Sequence, residues 1–158
     1  MTTNVVTHEY PIWRERANFI ITAKIKNGKI SSTWQWEQLW AKKLTENRFE
    51  ICCIPFFIYN LALGDEVETG PNEEKRYVIQ RVLKPSGRYT FRAWFHNNTA
   101  RVEVYEELTK LGCLMEWRSP DSNLLAIDAV SDSQAQVIAD FLWLKEQQAH
   151  LTYETGRT

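Results

Sequence analysis

The chain has 158 residues, of which 44% are hydrophobic and 25% are charged, and its formal net charge is −1. These values are typical of one ordinary globular domain or two small fused ones, and they exclude a fibrous or disordered chain. No stretch approaches the roughly 18 uninterrupted apolar residues of a membrane helix, and the start lacks the basic-then-apolar order of a secretion signal. We therefore expect a cytoplasmic protein that does not bind a membrane.

The first half of the chain is predicted to form short strands separated by turns. Phe19–Ile25 is rich in β-branched residues, and Asn27-Gly28 after it favours a chain reversal. The alternating run Trp36–Leu44 is predicted to pair with Arg48–Ile54, and Pro55 should end that strand. Further strands are predicted over Glu66–Glu68, Tyr77–Leu83 and Arg88–Phe95, the last two as a hairpin around Pro85-Ser86-Gly87.

From Arg88 onwards the pattern favours strands alternating with helices. Asn98 or Thr99 is predicted to cap a helix that runs to about Leu111, and strands are predicted over Cys113–Trp117 and Leu124–Val130. A capping box at Ser131–Gln134 begins a last helix that should reach about Ala149. The predicted apolar faces are Val102, Tyr105, Leu108 and Leu111 in the first helix, and Ala135, Ile138, Ala139 and Leu142 in the second, with Trp143 left open.

The predicted fold class is therefore α+β. An N-terminal small β-barrel-like unit or curled sheet is expected over residues 1–95, followed by a ferredoxin-like (split βαβ) half with two helices over residues 96–158. Strand 88–95 would complete the second half, so the predicted boundary between the two halves at residue 95 is not sharp. We expect one compact unit.

The stretch FEICCIPFFIYNLALGDEVE, residues 49–68, contains two adjacent cysteines. A thiol nucleophile at Cys52 or Cys53, paired with His96, is one interpretation. However, free cysteine is among the most frequently buried residues, and no helix N-terminus follows these two to stabilise a thiolate. We therefore predict that the thiols and aromatic rings of this stretch fill the interior, and that the protein is not an enzyme.

No sequence pattern indicates a metal or a cofactor, and we expect neither. His8, His96 and His150 are isolated in sequence, and no Cys-x-x-Cys or His-x-x-x-His spacing occurs. None of the six glycines belongs to a phosphate-binding loop. The three cysteines are an odd count, which argues against a disulfide framework and fits a reducing compartment.

The near-neutral total conceals an uneven distribution of charge. Residues 75–102 carry 7 basic and no acidic side chains, whereas residues 103–158 carry 4 basic and 10 acidic ones. The acidic part is a candidate surface for a basic protein partner, with six predicted contact residues: Glu106, Glu107, Asp121, Asp140, Trp117 and Trp143. The basic part, residues 75–101, is an alternative surface for single-stranded nucleic acid, with Arg81, Arg88, Arg92, Tyr89 and Trp94 as its candidates. Ordinary solvated charge accounts for both patterns as well.

Three segments carry a resemblance to a known family: Glu37–Ala41, Arg48–Ile51 and Pro55–Val67. Together with strand 88–95 and the strand-helix segment that begins at Gly112, these segments make the chain similar to a bacterial family of unknown function, DUF4265, over about residues 36–148. The family has no activity to carry over, but small bacterial proteins of this kind sometimes act as immunity proteins beside polymorphic toxins.

The leading hypothesis is therefore a non-catalytic immunity protein that neutralises a secreted bacterial toxin, contact-dependent or polymorphic, through its acidic face. Its partner would be the cognate toxin domain. The alternative is a single-stranded nucleic-acid-binding regulator.

Overall fold

The computed structural model describes residues 4–26 and 33–158 of the chain. These residues form a mixed fold with two sheets and two helices, which confirms the α+β prediction at this level. The elements are β1 (Val5–Val6), β2 (Phe19–Lys24), β3 (Trp36–Lys43), β4 (Arg48–Ile51), β5 (Glu66–Gly70), β6 (Val78–Lys84), β7 (Tyr89–Phe95), α1 (Asn98–Lys110), β8 (Leu114–Trp117), β9 (Leu124–Ala129), α2 (Asp132–Gln147) and β10 (Leu151–Thr155). The predicted Asn27-Gly28 turn lies outside the described residues.

The first sheet has six strands in the order β1-β3-β2-β6-β5-β4, and β4 also pairs with β3. The predicted hairpin of β3 and β4 is confirmed, with Ala41 opposite Ile51. The sheet curls back on itself, but β2 and β6 share only one parallel pair, Thr22 with Val78. It is therefore a curled sheet and not a regular barrel.

The predicted hairpin between β6 and β7 is wrong. β6 lies between β2 and β5 in the first sheet, whereas β7 lies between β9 and β10 in the second. The turn Pro85-Ser86-Gly87 is instead a crossover between the sheets, with Gly87 at a φ of +87° and the Ser86 N–H donating to Asp65 Oδ1 at 2.8 Å. Both edges of β7 are already paired, by β9 and by β10, a strand that the sequence did not predict.

The second sheet has the order β10-β7-β9-β8, and all its pairs are antiparallel. Both helices pack on one face of this sheet, around Phe91, Phe95 and Ile127. The other face packs on the segment 54–63 and the N-terminal residues, through Leu124 and Ala126. Because the sheet is covered on both faces, every residue of β9 is buried.

Helix α1 forms where predicted, but its predicted buried face is correct only at Leu108. Ala100, Val104 and Leu108 point into the core, whereas Val102 is 51% exposed and Tyr105 is 36% exposed. The buried positions follow an i, i+4, i+8 row that begins with a small alanine. The prediction missed this row because it placed the larger side chains of the helix in the core. Predicted Leu111 is the C-cap and is 37% exposed. The N-cap is Asn97, whose side chain accepts from the Ala100 N–H at 2.8 Å.

Helix α2 confirms its predicted start, since the Ser131 hydroxyl accepts from the Gln134 N–H at 3.2 Å. Ile138 and Leu142 are fully buried on its inner face. Trp143, which the sequence left open, is 55% exposed. The outer surface of the helix pair is therefore more apolar than expected.

Candidate functional site

The two adjacent thiols are completely buried, which confirms that they fill the interior. Burial raises the pKa of Cys52 to about 12, and burial also raises the pKa of Cys53. His96 lies elsewhere, with its ring nitrogens 3.1 Å from the Ala149 carbonyl oxygen and 2.9 Å from Thr152 Oγ1. The structure therefore does not bring His96 to either thiol.

A different histidine, His8, lies at the centre of a buried ionic cluster. Its Nε2 is 2.6 Å from Glu37 Oε2, and its Nδ1 is 2.9 Å from Glu116 Oε1. The ring stacks on Phe56 with centroids 4.0 Å apart and planes 7° apart. We call His8, Glu37 and Glu116 the His8 cluster. It joins the N-terminal segment to β3 of the first sheet and β8 of the second.

Backbone N–H groups of the segment after β4 complete the His8 cluster. Ile54 N–H donates to Glu116 Oε2 at 2.5 Å. Phe56 N–H and Phe57 N–H donate to the two oxygens of Glu37 at 2.8 and 2.9 Å. A chain that leaves the sheet at Ile51 needs partners for its buried N–H groups, and the two carboxylates supply them.

The electrostatics of the cluster favour a protonated His8. Burial by itself lowers the pKa of His8, but Cys53, Glu116 and Glu37 together outweigh this effect and raise the pKa well above its usual value. An imidazolium between two carboxylates is compensated on both sides, which is the condition for stable burial of charge. One ring nitrogen contacts Glu37 of the first sheet and the other contacts Glu116 of the second, so the cluster links the two sheets.

The arginine predicted to bind nucleic acid at the centre of β7, Arg92, is fully buried. Its Nε lies 2.8 Å from Glu154 Oε2, and its Nη1 donates to the Ile58 carbonyl oxygen at 2.9 Å. The Tyr59 hydroxyl donates to the other oxygen of Glu154 at 2.6 Å. Arg92 thus anchors the segment 55–59 beneath the second sheet and is not available at the surface.

The other residues of the predicted basic surface are dispersed. Arg88 pairs with the buried carboxylate of Asp128 at 2.5 Å, and burial raises the pKa of Asp128 to about 6. Arg81 pairs with Glu68 across β5 and β6 at 3.2 Å. Trp94 is 42% exposed. Because β6 and β7 belong to different sheets, these side chains do not line one hairpin.

The structure places the predicted acidic contact residues on and beside the two helices. Glu106 and Asp140 are exposed on α1 and α2, and Asp121 is exposed in the turn between β8 and β9. Glu107 is partly exposed and forms an ion pair with Lys145, whose Nζ lies 3.4 Å from Glu107 Oε1. Trp117 is partly buried, and its ring contacts both the Tyr105 ring and the guanidinium of Arg101.

The exposed side of α1 and α2 combines apolar and acidic side chains. We call it the outer helix surface, and its members are Val102, Tyr105, Glu106, Val137, Asp140, Trp143 and Leu144. The two helices carry six acidic and three basic residues, and two of the three bases are engaged, Lys145 with Glu107 and Arg101 with the carbonyl oxygens of Pro120 and Ser122. Trp143 was among the predicted contact residues, whereas Val102 and Tyr105 were missed because they were assigned to the core.

Residues 37–153 match the sequence model of the family described as domain of unknown function DUF4265. The chain belongs to the DUF4265 family. The DUF4265 region begins at Glu37 and contains Glu116, whereas His8 lies before it. No curated protein matches the chain at a significant level.

A solved structure shares the fold of this DUF4265 protein. It is titled "Novel crystal structure of a hypothetical protein from Neisseria gonorrhoeae", and it is 21% identical with a TM-score of 0.65. The similarity covers 87% of this chain and 94% of that one.

In residues 4–26 and 33–158 no group of three or more histidine, cysteine or acidic residues is arranged to hold a metal ion. No helix in that part of the chain is long and apolar enough to cross a membrane.

Proposed function

We propose that this protein is a non-catalytic binding protein that engages a basic macromolecule through the outer helix surface. The supporting observation is the exposure of Val102, Val137 and Trp143 among acidic side chains. Interface centres are enriched in aromatic and apolar anchors, and surrounding charge of one sign speeds association with a partner of the other. In its most specific form the proposal is a cytoplasmic immunity protein whose partner is a cognate toxin domain.

The proposal extends to the fold of the binding half. We propose that the second half is a ferredoxin-like layer. Two observations support this: the element order is β7-α1-β8-β9-α2-β10, and the strand order is β10-β7-β9-β8. Such a layer leaves the outer sides of both helices open to solvent. A partner can then cover both helices without disturbing the second sheet.

The test is calorimetric titration with the toxin domain encoded beside this protein's gene, at low and at physiological salt. The double variant Glu106→Lys with Asp140→Lys should weaken binding at least tenfold, mainly through slower association. The matched control is Glu73→Lys with Glu74→Lys, which reverses two exposed charges in the loop after β5. Equal affinity of both variants, or the absence of any toxin gene nearby, would contradict the immunity proposal.

A separate variant tests the apolar part of the surface. Trp143→Gln removes the most exposed large hydrophobic side chain of α2, and we expect a loss of binding by about tenfold or more if it is an anchor. The thermal stability should stay close to that of the wild type because the ring is mostly outside the core. Tight binding of single-stranded oligonucleotides that declines steeply with salt would instead favour the alternative function.

A further inference from the structure

A cavity opens in the first sheet where the pairing of β2 and β6 ends. Thr22 and Val78 are the single pair across these strands, and beyond them lies a cavity of about 620 Å³. The strands contribute residues 23–24 and 79–82 to its wall, the segment 58–61 forms its floor, and Lys26 and Thr158 complete the lining. No residue of α1 or α2 lines it, so the cavity is separate from the outer helix surface.

The lining has the composition of a ligand site, with an apolar floor and a basic rim. Ile58, Leu61, Ile79 and Val82 supply apolar surface, and none of the four is fully exposed. The rim carries Lys24, Lys26 and Arg81, and no acidic side chain of the described residues lines the cavity. Sites for small molecules are concave, mostly apolar and supplied with a few placed polar groups.

The positive charge at the rim is only partly compensated. Arg81 shares its charge with Glu68 through a contact of 3.2 Å. Lys24 and Lys26 are exposed and have no ion-pair partner within residues 4–26 and 33–158, and the Lys24 ammonium lies 6.0 Å from the Trp36 ring centroid. Two uncompensated ammonium groups beside apolar surface favour a ligand with one anionic end.

The floor of the cavity is held from behind by several hydrogen bonds. Arg92 donates to the Ile58 carbonyl oxygen, and Tyr59 donates to Glu154, which Arg92 also binds. Asn60, at a φ of +61°, donates from its backbone N–H to the Gly156 carbonyl oxygen at 2.6 Å. A preorganised wall lowers the entropy that binding must offset.

We infer that this cavity binds a small organic anion with an apolar body, such as a medium-chain or aromatic carboxylate. The carboxylate would lie at Lys24 and Lys26, and the apolar body would lie on Ile79, Val82 and Leu61. The volume is within the range of about 300–1,000 Å³ that is common for such sites. This inference does not depend on the proposed partner of the helices.

The test uses 1-anilinonaphthalene-8-sulfonate as a fluorescent probe and octanoate as its competitor. We expect saturable binding of the probe and its displacement by octanoate, but not by octanol, which lacks the charge. Lys24→Gln with Lys26→Gln should weaken binding of the probe on the order of tenfold, because two nearby charges are removed. The matched control, Lys84→Gln with Lys110→Gln, removes two exposed lysines that do not line the cavity and should leave binding unchanged.

The same probe can bind exposed apolar surface elsewhere, so a third variant locates it. Trp143→Gln with Val137→Gln alters the outer helix surface and should leave probe affinity unchanged. Amide shifts induced by octanoate in ¹⁵N-labelled protein should map to residues 58–61 and 79–82. Non-saturable binding, equal affinity of the two lysine variants, or loss of binding in the Trp143 variant would each overturn the inference.

Discussion

Replacing Glu116 by alanine tests the structural importance of the His8 cluster. One oxygen of Glu116 accepts from Ile54 N–H at 2.5 Å, and the other lies 2.9 Å from His8 Nδ1. The substitution leaves a buried N–H without an acceptor, which costs about 1–3 kcal/mol, and removes one of the two counter-charges of the buried His8 ring. Breaking a buried ion pair by removing one partner typically costs about 3–5 kcal/mol in total.

We therefore expect Glu116→Ala to lower the free energy of unfolding by about 3–5 kcal/mol, a large share of the about 5–15 kcal/mol of an ordinary domain. The assay is urea unfolding followed by the fluorescence of the seven tryptophans. Glu103→Ala, an exposed glutamate of α1, is the matched control and should change stability by no more than about 0.5 kcal/mol. A loss below about 1 kcal/mol for Glu116→Ala would refute the assignment of the cluster as the link between the sheets.

Glu116→Gln separates the charge from the packing. The amide keeps the shape of the side chain and one acceptor oxygen. Its NH₂ group, however, would face either the Ile54 N–H or the His8 Nδ1–H, and each of these groups already donates. We expect a loss of about 1–3 kcal/mol, smaller than that of the alanine variant. Equal losses for both variants would mean that hydrogen bonding and charge dominate over the filled volume.

Three further predictions concern titration and access. Because the folded chain raises the pKa of His8, protonation of His8 stabilises the fold. This stabilisation is complete below the unfolded pKa of about 6.5 and is lost as the pH rises through the folded pKa. His8→Gln should abolish this decline of stability in urea titrations at increasing pH. Asp128 has a pKa raised from 3.8 to about 6, so its contribution to stability should fall by up to about 3 kcal/mol as the pH rises between these values, and Asp128→Asn should remove that slope. Cys52 and Cys53 should react with iodoacetamide only after addition of denaturant, and rapid alkylation of the native protein would contradict their burial.

The elements that the sequence predicted correctly are those with local signals. The hairpin of β3 and β4 has alternating residues on both sides of a short turn, and α2 begins at the predicted N-cap Ser131. The turn 85–87 is equally strong as a local signal, but a tight turn does not decide whether the next strand pairs with the previous one. β10, with the sequence LTYET, has too few apolar residues to be recognised without its partner β7.

The His8 cluster escaped prediction because its contacts are distant in sequence. His8 is 29 residues from Glu37 and 108 residues from Glu116, so no spacing motif connects them. One signal was present in hindsight: each glutamate stands inside a strand of otherwise mostly apolar residues, Glu37 in WEQLWAKK and Glu116 in LMEW. An acidic residue at a strand position that faces the core requires a buried partner.

The same long-range contacts bear on whether residues 1–95 and 96–158 fold separately. Glu116 of the second part binds Ile54 and His8 of the first, and Glu154 binds Tyr59. A fragment that ended at residue 95 would leave the Ile54 N–H, the His8 Nδ1 and the Tyr59 hydroxyl without their acceptors, at a cost that a small sheet cannot offset. We therefore propose that the two parts form one cooperative unit, in which loss of Glu116 destabilises both sheets together. Unfolding of the Glu116→Ala variant should then remain a single transition with coincident fluorescence and circular dichroism, and two separate transitions would contradict this proposal.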